Sequence, residues 1–175
     1  MTRYSWQTWP SGLIVDSREA LIELRTCVDD LHTDNDAIER YLSRMLVIRS
    51  CGHLEFTLEQ GILDSIRPNI APHIENHIRT GMFKGRNPNP NRIKELLGSF
   101  HASWRQEISD LLDSDDELLK RELASLVDKR NKIAHGQSEG VGRRKSLVLC
   151  DYALQVSDEI LKIICPETLK TSIKN

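Results

Sequence analysis

The sequence predicts an all-α bundle of four to five helices with additional short helices. Three features point there. Long stretches carry apolar residues at three- and four-residue steps, no segment reads as a strand, and the longest periodic stretch has no proline to break it. The 175 residues suit one domain spanning 1–175 with a real core.

Residues 1–14, with Trp6, Trp9 and Pro10, read as an extended arm. Asp16 then offers a helix N-cap, and Leu21, Leu24, Val28 and Leu31 follow at helical spacing, ending near His32. A second helix runs from about Asp34 to Ile66, its expected buried stripe being Ile38, Leu42, Met45, Arg49, Gly52, Phe56 and Leu63. Arg49 falls inside that stripe, which requires either a carboxylate partner or a place lining a site. Pro68 opens a shorter helix to about Arg79. Gly85-Arg86-Asn87-Pro88-Asn89-Pro90-Asn91 is the clearest loop, residues 85–91. Arg92 to Leu112 reads as one or two short helices broken near Gly98, with Trp104 as an anchor. Ser114-Asp115-Asp116-Glu117 has the form of a capping box and opens a strong helix. After a loop from Gly136 to Gly142, a final helix carries Leu147, Cys150, Leu154, Leu161 and Ile164 up to Pro166.

Apolar residues at 39% and charged residues at 29% are ordinary for a globular protein. No apolar run is long enough for a membrane span, and no secretory signal is visible at Met1 to Pro10. Cys27, Cys51, Cys150 and Cys165 are scattered, with no CxxC pair, and read as reduced cysteines of a cytoplasmic protein. His73 and His77 lie one helical turn apart, but HExxH needs glutamate at 74 and the chain has it at 75. With no third ligand apparent, no metal and no cofactor is expected.

Charge is uneven. The formal net charge is −2, yet Asp128 to Lys145 holds six Lys or Arg against two acids, a local +4 on a body of −6. Such a patch suits a confined anionic substrate better than a long duplex. At its head stands Asp128-Lys129-Arg130-Asn131-Lys132-Ile133-Ala134-His135-Gly136. The helix leading into it carries Leu119, Leu123 and Leu126, and Arg130 continues that stripe before Ile133. A guanidinium there requires a carboxylate, a partner subunit or an anionic ligand. Asn131 and His135 flank it one turn apart, and Gly136 can stop the helix.

Arg130-Asn131-Lys132-Ile133-Ala134-His135-Gly136 resembles the R-x4–6-H motif of the HEPN superfamily, in which a polar residue commonly follows the arginine. The helix order is also similar to HEPN bundles. Arg49-Ser50-Cys51-Gly52-His53-Leu54-Glu55 and Asn87-Pro88-Asn89-Pro90 further resemble the prokaryotic RiboL-PSP-HEPN branch, over about residues 35–165. The resemblance implies a metal-independent endoribonuclease, working as a homodimer with two motifs facing one cleft. Members typically serve in toxin–antitoxin systems, abortive infection or CRISPR-linked defence, so an antitoxin or defence partner protein is implied. Members of one toxin branch carry Tyr two residues after the histidine. This chain has Gln137 and is not assigned to that branch.

The residues suit such chemistry independently. Metal-free RNA cleavage uses the ribose 2′-OH as nucleophile and needs proton transfer plus a cation for the phosphorane charge. His135 suits the first role, Arg130 the second, and Asn131 can orient either the histidine or the phosphate. Lys132, Arg143, Arg144 and Lys145 either gather the strand or form a solvated helix start. Glu55 is either an auxiliary residue in the cleft or the partner of Arg49. The alternative to a ribonuclease is a non-catalytic helical module that binds RNA or a partner protein.

Overall fold

The computed structural model describes residues 9–83, 87–137 and 140–165. The arm up to residue 8 with Trp6, Gly85 and Arg86 of the loop, Glu139 and Pro166 lie outside them. Among the described residues seven α-helices follow in order: α1 (Gly12–Asp29), α2 (Asp36–Ile66), α3 (Pro72–Ile78), α4 (Pro90–Phe100), α5 (Ala102–Leu112), α6 (Leu118–Ala134) and α7 (Arg143–Ile164). No strand occurs among the described residues, so the all-α expectation holds. The four long helices α1, α2, α6 and α7 make the bundle, with α2 against α7 as its most extensive pairing.

Small residues explain that pairing. Ser43, Ser50, Thr57 and Gly61 are all buried on one side of α2, and Ser146, Ala153 and Ser157 are buried on α7. Gly61 is the tightest point. A Cβ there would lie 2.6 Å from Ile164 Cδ1 and 3.3 Å from Leu161 Cδ2. Two apolar clusters fill the rest of the α1–α2–α7 and α2–α6–α7 seams, around Leu21, Val28, Leu46 and Cys150, and around Val47, Cys51, Leu126 and Leu149. The largest cluster joins the C-terminal halves of α2 and α7 to α4, α5 and the start of α6.

Of the α2 stripe expected from the sequence, Leu63 is buried and Leu42 and Phe56 are half-buried, but the rest is out of phase. Ile38, Met45, Arg49 and Gly52 are exposed, whereas Leu46, Val47, Cys51, Leu54 and Leu58 are buried. Hydropathy misleads here because the packed side holds serines, a threonine and a glycine that fit close to α7. Arg49 therefore needs no buried carboxylate. The α6 stripe is in phase: Leu119, Leu123 and Leu126 are buried.

Several boundaries differ as well. Helix α1 starts at Gly12, so Asp16 lies within it and the arm is shorter than residues 1–14; Trp9 is tied back by donating from Nε1 to the Leu161 carbonyl at 3.3 Å. The stretch from Pro68 divides into a 3-10 turn at Arg67–Asn69, α3, and a π-helical turn at Arg79–Phe83. The α4–α5 break is at His101, which is extended and caps α5, while Gly98 lies inside α4 and admits the Arg105 side chain. Ser114 forms no capping box. Its hydroxyl donates to the Leu111 carbonyl at 2.7 Å, and Asp115, Asp116 and Glu117 adopt φ of +48°, +53° and +60°. A left-handed turn of three acidic residues thus delays the helix to Leu118, and Glu117 instead accepts from Lys120 at 2.9 Å.

Between α1 and α2, His53 is buried, with Nδ1 2.9 Å from Ser17 Oγ and Nε2 3.4 Å from Thr57 Oγ1. Burial, reinforced by Arg18 and Arg49 and opposed by Asp158, pushes its pKa from 6.5 down to about 4. The fold favours the neutral ring, so this contribution is present above pH 6.5 and lost as pH falls toward 4. Its size is on the order of 3 kcal/mol at most. Urea unfolding from pH 4 to 8 should show that slope in the wild type relative to His53→Gln. Separately, Gly61→Leu should overfill the α2–α7 contact and cost about 1–3 kcal/mol, read as a lower urea midpoint with an unchanged m-value.

Candidate functional site

The end of α6 is built to stop at His135. Gly136 takes φ +70°, its N–H donates to the Ile133 carbonyl at 3.1 Å, and the Gln137 N–H donates to the Lys132 carbonyl at 2.9 Å. These paired bonds are a Schellman motif, which needs a residue at ease with left-handed backbone. His135 is consequently the helix cap, with its side chain exposed and unbonded among the described residues.

Five residues earlier, Arg130 lies half-buried at the seam with α2. Its Nη1 donates to Asn87 Oδ1 at 2.9 Å and to Asn131 Oδ1 at 3.1 Å, while Asn87 Nδ2 donates to Asn131 Oδ1 at 3.1 Å. Asn87 is supplied by the Asn/Pro loop, and the neighbouring residues explain how. Asn89 caps α4 by accepting from the Arg92 N–H at 2.9 Å, Pro90 occupies the first turn, and the Asn89 N–H donates to the Asn87 carbonyl at 2.9 Å. One asparagine anchors the helix and the other reaches across to α6.

Both acceptors on Arg130 are neutral amides, and among the described residues no carboxylate forms an ion pair with it. Its charge is felt by its neighbours on α2. Burial pushes Glu55 up, with Arg130 pulling the other way. Cys51 is pushed up to about 11 by burial against the same pull, which leaves it a packed thiol and not a nucleophile. One turn beyond Glu55, Glu59 is pushed up to about 7 by burial and then by Glu55, against Arg79 and Arg92. The half-buried arginine thus stands beside one carboxyl on α2, Glu55, which forms no hydrogen bond among the described residues.

The remaining expected site residues are partly committed elsewhere. Lys132 pairs with Asp128 at 2.9 Å and Lys145 with Glu122 at 2.6 Å. Arg143 donates to the Leu31 carbonyl at 2.9 Å and to the Asp29 carbonyl, so it closes the end of α1. Arg144 is exposed. Glu55 stands near Arg130, whereas Arg49 is exposed and forms no bond to Glu55. His73 and His77 are exposed, and the described residues contain no group of three or more His, Cys, Asp or Glu placed to hold a metal. The sequence alone does not mark Asn87 or Glu59 as site residues. Glu59 is separated from Glu55 by one helical turn, but nothing in the spacing alone ties Asn87 to a residue 43 positions away.

A family model described as RiboL-PSP-HEPN matches residues 15–166. The chain belongs to this family. HEPN domains are often RNases, and they often bind RNA and dimerise. No curated protein and no solved structure matches the chain. Among the described residues no helix is long and apolar enough to cross a membrane.

Glu59 gives the site a testable electrostatic signature. Its carboxyl is raised from 4.5 to about 7, so its contribution to stability is complete below pH 4.5 and lost as pH rises through 7. Glu59→Gln should therefore be more stable than wild type at pH 8, and the difference should vanish below pH 4.5, measured by urea midpoint.

Proposed function

We propose that this protein is a metal-independent endoribonuclease that cleaves single-stranded RNA, acting in the cytoplasm as a homodimer in defence or a toxin–antitoxin system. The observation that carries this reading is the state of Arg130. A half-buried guanidinium held by neutral amides keeps its full charge for an anion, and an unbonded histidine caps the same helix.

In the proposed reaction the scissile phosphate is held at Arg130, with Asn87 and Asn131 setting the plane of the guanidinium. His135 takes the proton of the ribose 2′-OH as that oxygen attacks phosphorus. The P–O5′ bond breaks, the 5′-oxygen leaves with a proton donated by the imidazolium of the second copy's His135, and the upstream fragment keeps a 2′,3′-cyclic phosphate. Arg130 stabilises the extra negative charge of the phosphorane. DNA, lacking the 2′-OH, is not a substrate. Arg144 and Lys145, at the start of α7, serve as strand contacts, and Glu55 acts as an auxiliary residue through its effect on Arg130.

The test uses single-stranded RNA in EDTA. Wild type should leave 2′,3′-cyclic phosphate ends, and Arg130→Ala and His135→Ala should each lose about 10²-fold or more in rate. Asn87→Ala should lose about tenfold, because it loosens the guanidinium without removing it. Intact RNA bound tightly by the wild type would show a binding module and sink the nuclease reading.

A further inference from the structure

On α2, the side opposite the packed small residues is apolar and exposed. Ile38, Tyr41, Met45 and Ile48 are 45%, 72%, 49% and 38% exposed on one helical face. Gly52 continues this face in mid-helix, where glycine costs about 1 kcal/mol relative to alanine. Nothing among the described residues requires it, since a Cβ there would meet none of their atoms within 4 Å. A glycine in open space on an apolar helix face fits the close approach of a second backbone.

The residues around Gly52 say whose backbone. At offsets of three, four and seven on the N-terminal side lie Arg49, Ile48 and Met45; on the C-terminal side lie Glu55, Phe56 and Glu59. These are the offsets of one continuous helix face. An antiparallel two-fold axis at Gly52 sets each residue level with its mirror offset on the other copy. Arg49 then lies level with the partner's Glu55, and Ile48 with the partner's Phe56. Arg49 and Glu55 each lack an ion pair or hydrogen bond among the described residues, so the face offers a cation and an anion that complement each other only between copies.

We propose that α2 packs against α2 of a second copy about a two-fold axis at Gly52, with Arg49 reaching the partner's Glu55. This rests on the paired-motif reading above and names the surface that makes the pair. The axis is perpendicular to both helices, so anything beside α2 in one copy lies on the same side in the other. Helix α6 flanks α2 at Cys51 and Glu55, within one turn of the axis. The two Arg130–His135 motifs therefore open on the same side of the α2 pair, into one cleft.

Light scattering and sedimentation of the full chain test this without RNA. Wild type should be a dimer at about 10 µM, and Ile48→Glu a monomer. Arg49→Glu should weaken the dimer about tenfold or more, and adding Glu55→Arg in the same chain should restore it. Gly52→Cys, in a Cys27→Ser background that removes the exposed thiol, should give a disulfide-linked dimer on mild oxidation. A wild-type monomer overturns the proposal, as does a dimer that survives Ile48→Glu and yields no Gly52→Cys cross-link. A dimer that leaves RNA intact sinks the nuclease reading alone, and a monomer that cuts RNA sinks this one alone.

Discussion

The close approach of α2 to α7 is the constraint on which the rest depends. Ser43, Ser50, Thr57 and Gly61 give α2 one side that only a near neighbour can fill, and Ile164 and Leu161 fill it at Gly61. Once that side is committed, the rotation of a 31-residue helix is settled along its length. The opposite side must then face outward, apolar residues included. The same rotation turns Cys51 and Glu55 toward α6, so the packing of the core also decides which carboxyl stands beside Arg130.

The legible and illegible parts of the fold differ in how they use hydrophobicity. Helix α6 buries leucines and exposes charges, so its phase, its arginine and its terminal glycine could be read directly. Helix α2 inverts the pattern, burying Ser50 and Thr57 while exposing Ile48 and Met45. A rule that seeks burial in apolar residues assigns it the wrong face. The acidic turn before α6 failed for another reason. Ser114 and Glu117 have the residue types of a cap, but three successive left-handed residues aim them elsewhere.

The site was legible where it is local and illegible where it is assembled. Arg130, Asn131 and His135 lie on one helix end, and their relative phase follows from the helix itself. Asn87 reaches them only because α4, capped by Asn89, holds the loop against α6. Glu59 gains its character from burial and from Glu55, against the pull of arginines on two other segments. Such features depend on tertiary placement, to which residue spacing is blind. The family match over residues 15–166 spans both the local and the assembled parts.

The capping of α6 also governs how an anion can approach. The C-terminal end of a helix is the negative pole of its dipole and repels phosphate along the axis. Gly136 and Gln137 donate to two of the last carbonyls, which reduces but does not reverse that repulsion. In the proposed reaction a phosphate would therefore reach Arg130 from the flank, over Asn131 and beside α2, and not end-on past His135. The direction of entry is written into the polarity of the backbone.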